Sequence, residues 1–120
     1  MAIDILLLCT GNLCRSPMAE LMCRQLLAER LGCKLEELPD RGVLVVSAGI
    51  AAMMGGRASA ESVNVMAAQG LDLRDHESQP LTPQLVRHAD IILTMTNAHR
   101  QAIIGEWPEA AARTRVLCRN

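Results

Sequence analysis

Tyrosine and phenylalanine are absent from this sequence, and tryptophan occurs once. A core built on aromatic packing is therefore excluded, and Leu, Ile, Val, Met and Ala must fill the interior. Long apolar runs are missing too. Ile3 to Leu8 falls far short of the about 20 residues that a membrane-spanning helix needs, and it has neither the basic lead-in nor the small-residue cleavage site of a signal peptide. The chain reads as cytoplasmic, with no membrane partner. An excess of one charge is also lacking. A formal net charge of −1 gives no general attraction to nucleic acid or anionic lipid, so any anion chemistry must come from a local set of donors. A disulfide framework is not expected: the five cysteines are odd in number and scattered through helical and strand-like segments, which suits reduced thiols. Apart from Cys9 and Cys14, no pair of cysteines or histidines sits at a usual ligand spacing, so no metal is expected. His88 and His99 read as helix-surface residues.

What is present fits one α/β domain over residues 1–120, since domains centre on roughly 100 to 150 residues. Ile3 to Leu8 has the continuous apolar pattern of a strand covered on both faces of a parallel sheet. A helix should follow. Ser16 can cap it, Pro17 suits its first position, Met18, Leu21, Met22, Leu26 and Leu31 mark its apolar face, and Gly32 stops it. After a polar link from Glu36 to Arg41, Leu44 to Ser47 reads as a second strand, opening into a loop that contains Gly55 and Gly56. Ser59 can cap a helix that Gly70 ends, Thr82 and Pro83 open a short helix, and Asp90 to Met95 is a third strand. Asn97 to Ile104 reads as helix and Arg115 to Cys118 as a fourth strand. Strands alternating with helices in this way imply a three-layer, doubly wound parallel sheet.

The segment Cys9-Thr10-Gly11-Asn12-Leu13-Cys14-Arg15-Ser16 occupies the first strand-to-helix turn, where such folds commonly hold phosphate. Its backbone N–H groups can curl around an anion, Gly11 permits an unusual backbone conformation, and the following helix adds its positive end. The same donors favour the thiolate of Cys9, the attacking form, near neutral pH. Arg15 can hold two phosphate oxygens in a planar fork in line with the sulfur, and displacement would give a phosphocysteine that water hydrolyses. The plainer reading makes Cys9 a small buried hydrophobe and Arg15 a surface residue; the strand before the loop and the Ser-Pro helix start after it favour chemistry.

These residues, together with Ser16-Pro17-Met18-Ala19-Glu20, Val46-Ser47-Ala48-Gly49, Asp75-His76 and the run Ala89 to Thr96, resemble the low-molecular-weight protein tyrosine and arginine phosphatases. The resemblance implies a flavodoxin-like sheet in the order 2-1-3-4, no cofactor, a phosphorylated protein or peptide as substrate and inorganic phosphate as product. It implies Cys9 as nucleophile and Arg15 as clamp, with Thr10, Gly11, Asn12, Leu13, Cys14, Arg15 and Ser16 around the phosphate. Asn12 would brace the loop, Ser16 would hydrogen-bond the thiolate, and Ser47 and His76 would extend the bracing. Cys14 would be the thiol that pairs with Cys9 under oxidation.

Members of that family also resemble one another in an Asp-Pro loop after the fourth strand, whose aspartate protonates the leaving group. This sequence reaches Asn120 without it, so the chain is expected to lack its general acid and last helix, either as a fragment or as a short form with impaired activity. Uncovered apolar surface then suggests self-association. Phosphotyrosine is the expected substrate. Phosphoarginine is the alternative: the arginine-specific branch is similar in Thr10 but carries threonine where this chain has Leu13. Arsenate reduction is disfavoured because residues 80 to 95 contain no further cysteine. A module that binds phosphate or phosphopeptide without turnover remains a reading of another class. Met53 and Met54 are either an apolar wall for substrate or an ordinary mobile loop.

Overall fold

The computed structural model describes residues 2–117. Strand β1, Ile3–Cys9, lies inside the sheet. On one side it pairs in parallel with β2, Val43–Gly49, and on the other with β3, Ile91–Thr94. Strand β4, Thr114–Val116, pairs in parallel with β3, giving the order β2-β1-β3-β4. The expected end of β4 at Cys118 lies outside the described residues.

Successive side chains of a strand point to opposite faces, and both faces of β1 are covered. Ile5, Leu7 and Cys9 join Val43, Val45, Leu38 and Met95 beneath helix α1, Arg15–Leu31. Leu6 and Leu8 turn the other way, against Ala48, Val86, Ile92 and Ile103. Those partners come partly from α3, Pro83–His88, and α4, Asn97–Glu106, on the opposite layer. This double coverage explains an apolar run without alternation. Helix α2, Ala60–Ala68, is joined to α1 through Leu21, Met66 and Leu73.

The terminators and caps act largely as the residue types dictate. Gly32 closes α1 at φ 65, Ser59 accepts the Ser62 N–H at the start of α2, and Thr82 accepts that of Leu85 at the start of α3. Three expectations need correction. Helix α1 begins at Arg15, with Cys14 at its cap position, so Ser16 lies inside the first turn and does not cap it. Its face toward the sheet is Ala19, Cys23, Leu27 and Ala28, whereas Met22, Leu26 and Leu31 are exposed. The polar link forms two short 3-10 turns, Leu35–Glu37 and Pro39–Arg41, and Leu38 between them is buried.

The rotation of α1 leaves an apolar groove of about 760 Å³ beside it. Met18, Met22, Leu26, Val65, Leu93 and Leu117 line the groove, and Arg15 stands at its edge.

Candidate functional site

Cys9 is the last residue of β1, buried at the end of a central strand, and the chain then turns from Thr10 to Cys14 into α1. The turn is made by Asn12 rather than Gly11. Asn12 has φ 57, the left-handed region that asparagine tolerates better than most residues, while Gly11 has no positive φ. A Cβ at Gly11 would meet nothing within 4 Å. Glycine matters instead at Gly49, the end of β2, where a Cβ would fall 2.5 Å from the Thr10 carbonyl oxygen and 3.0 Å from the Asn12 nitrogen.

The left-handed turn carries the Asn12 N–H to the Cys9 sulfur, at 3.1 Å, and Ser16 Oγ approaches the same sulfur at 2.8 Å. Fully buried Asn12 then organises what lies behind. Its Oδ1 accepts the Gln79 N–H at 3.0 Å, which fixes the amide so that Nδ2 donates both protons: one to Ser16 Oγ and one to Ser47 Oγ, each at 2.9 Å. Ser47 in turn donates to Glu20, whose carboxylate is paired with Arg24 at 2.7 Å and offers only lone pairs. The directions follow in sequence. Glu20 accepts from Ser47, Ser47 accepts from Asn12, and Ser16 accepts from Asn12, so the Ser16 proton is free to point at Cys9. Both hydrogen bonds that reach the sulfur can thus be donated to it.

His76 Nε2 meets the Asn12 carbonyl oxygen at 2.7 Å, and Gln79 Nε2 donates to the Ser47 carbonyl at 2.9 Å. Ser47 and His76 therefore both meet Asn12. Glu20 and Gln79 belong to the same set; Glu20 ends the run Ser16 to Glu20 and lies at i+4 from Ser16, although the sequence assigns it no role, and Gln79 carries no motif. The back of the loop is tied to α2: the Ser59 N–H donates to the Leu13 carbonyl at 2.9 Å and the exposed Cys14 thiol donates to Ser59 Oγ at 3.3 Å. Cys9 and Cys14 are both free thiols.

Arg15 is exposed where the loop meets the groove. His99 is not the helix-surface residue that its sequence neighbours suggested. It is buried at the first turn of α4, with Nε2 2.9 Å from Thr10 Oγ1, and burial followed by the nearby Arg15 charge lowers its pKa. His88 does lie exposed, bonded to its own helix at the Gln84 carbonyl. Met53 and Met54 are exposed, 81% and 76%, on the loop after β2. Leu13 is partly exposed and touches the space beside Gly56. Among the described residues, no cluster of three or more His, Cys, Asp or Glu could hold a metal ion.

The chain is thus a parallel α/β sheet whose first turn folds N–H and hydroxyl donors around a buried cysteine sulfur. Residues 4–119 match the family model for low molecular weight phosphotyrosine protein phosphatases, and the chain belongs to that family. A probable low molecular weight protein-tyrosine-phosphatase, EpsP, of Ralstonia nicotianae is 44% identical over 87% of this chain and 63% of its own length. A protein-arginine-phosphatase of Bacillus subtilis is 38% identical over the same shares, 87% and 63%. The tyrosine phosphatase Wzb from Escherichia coli K30, solved in complex with sulphate, superposes with a TM-score of 0.80 at 32% identity, covering 97% of this chain and 72% of Wzb. The chain thus spans about 63% of the length of these two curated relatives.

Proposed function

We propose that this chain, acting as one domain over residues 1–120, hydrolyses phosphorylated protein through a phosphocysteine at Cys9. The observation that carries the reading is the set of donors converging on one buried sulfur, the Asn12 N–H at 3.1 Å and Ser16 Oγ at 2.8 Å. In the first step the Cys9 thiolate attacks phosphorus, forming the S–P bond as the P–O bond to the leaving oxygen breaks. Water then attacks phosphorus, and inorganic phosphate departs with the sulfur again a thiolate. The N–H groups of the loop and the Arg15 fork stabilise the equatorial oxygens, so most of the rate enhancement is positioning and fixed charge. That Wzb was solved in complex with sulphate is in keeping with a tetrahedral anion as ligand. The family resemblance makes Cys14 the proposed partner for reversible protection of Cys9, which requires its thiol to leave Ser59 Oγ.

The departing oxygen of tyrosine needs a proton, and an activated aryl phosphate removes that need. Wild-type chain is expected to turn over such an ester with a burst of phosphoenzyme, and Cys9→Ser to lose turnover by at least about 10³-fold. A wild type that binds phosphate tightly but never forms a phosphocysteine on rapid quench would instead be a binding module.

Phosphotyrosine is the proposed substrate because Leu13, partly exposed on the loop, offers an apolar contact to a ring. The arginine phosphatase of Bacillus subtilis at 38% identity keeps phosphoarginine as the second reading. Comparing phosphotyrosine and phosphoarginine peptides on wild type and Leu13→Thr separates them: the substitution should shift preference toward phosphoarginine.

A further inference from the structure

His99 holds the one buried side-chain nitrogen without a partner among the described residues, Nδ1, while its Nε2 lies 2.9 Å from Thr10 Oγ1. Its backbone N–H is taken by the Thr96 hydroxyl that caps α4, at 3.2 Å, so the ring is fixed on a rigid helix start. Burial and the charge of Arg15 disfavour the doubly protonated ring. A neutral imidazole has one N–H and one lone pair. An orphaned buried N–H is rarer and costlier than an orphaned lone pair. The N–H therefore belongs on Nε2, directed at Thr10, and the lone pair on Nδ1.

Thr10 follows Cys9 directly and is exposed at the mouth of the loop. Its carbonyl already accepts the Ala51 N–H at 2.9 Å. We infer that His99 is a positioning residue: by donating to Thr10 Oγ1 it commits the single Thr10 hydroxyl proton to the anion held in the loop, adding a side-chain donor to the backbone ones. The inference rests on the loop being the anion site proposed above, and it makes Thr10 a ligand contact governed from α4, some 89 positions away.

The ring nitrogens report the tautomer directly. In the full chain, 15N spectra of the histidine rings are expected to show His99 protonated on Nε2 alone, and an Nδ1–H ring overturns the inference. Inorganic phosphate affinity, read by calorimetry, should fall about ten-fold in Thr10→Val and in His99→Leu, the worth of one hydrogen bond to a charged group. His99→Gln, which keeps an N–H in that direction, should restore it, and combining Thr10→Val with His99→Leu should cost no more than Thr10→Val alone. Should His99→Leu fail to fold, Thr10→Val binding phosphate like wild type overturns the inference by itself. The anion site fails separately: Arg15→Ala would then leave phosphate affinity unchanged, whatever the His99 variants do.

Discussion

Asn12 combines two demands that few residues meet together: a left-handed backbone and a side chain that donates twice and accepts once. Alanine there would keep the strain and strand the hydroxyls of Ser16 and Ser47. Asn12→Ala is expected to cost about 2 to 4 kcal/mol in urea unfolding and to slow alkylation of Cys9 at neutral pH. Glycine at the same position should recover part of the stability and none of the alkylation rate, which separates backbone from network. His99 carries a pH prediction. Its folded-state pKa is depressed below the about 6.5 of an unfolded histidine, so between those two values the unfolded chain binds more protons. Stability should therefore fall as pH drops below about 6.5 and level off once the buried ring titrates. His99→Gln should flatten that slope in denaturant midpoints measured across this range, and an unchanged slope would refute the assignment.

At the scale of elements, the end of β2 and the loop from Thr10 to Cys14 are packed as one piece. The Gly49 N–H donates to the Gln79 carbonyl and the Gly49 carbonyl accepts the Leu81 N–H, both at 2.9 Å, while its missing side chain lets the Thr10 carbonyl pass. Gly49→Ala should force the loop outward, with a loss of about 1 to 3 kcal/mol and a lower affinity for inorganic phosphate in calorimetry. Strand β1 and the loop after it were legible in the sequence because burial on both faces leaves an unbroken apolar run and because a cysteine six positions before an arginine has few structural reasons to follow such a strand. The rotation of α1 was not legible. Its apolar residues surround the helix, so neither the stripe through Met18, Met22 and Leu26 nor the one through Ala19, Cys23 and Leu27 stands out in the sequence, and it is the second that packs on β1 and β2. His99 was hidden for a similar reason, since Asn97 and Arg100 beside it give the turn a surface composition while its contact is made with Thr10 across the sheet edge.

For the molecule as a whole, the groove beside α1 is the main apolar feature left open. Met22, Leu26 and Val65, each close to half exposed, present one contiguous face, and patches of that kind mark association sites. Among the described residues no helix is long and apolar enough to cross a membrane. The doubly wound parallel class was accessible from the alternation of strand and helix, whereas the sheet order was implied only by the resemblance of the motifs to the family. The wiring behind the sulfur was only partly accessible, since Gln79 carries no sequence signature and the place of Glu20 in the motif does not show that it receives the Ser47 hydroxyl.

That wiring also sets when the cysteine can become reactive. Asn12 is latched by groups 64 and 67 positions further along, on His76 and Gln79. A ribosome releasing this chain from its first residue would expose Cys9 long before those latches exist, with the loop slack and its amides turned to water. The proposed reactivity should then wait until Gln79 and, after it, β3 and the start of α4 have emerged and docked, so the nascent thiol spends much of its synthesis as an ordinary cysteine.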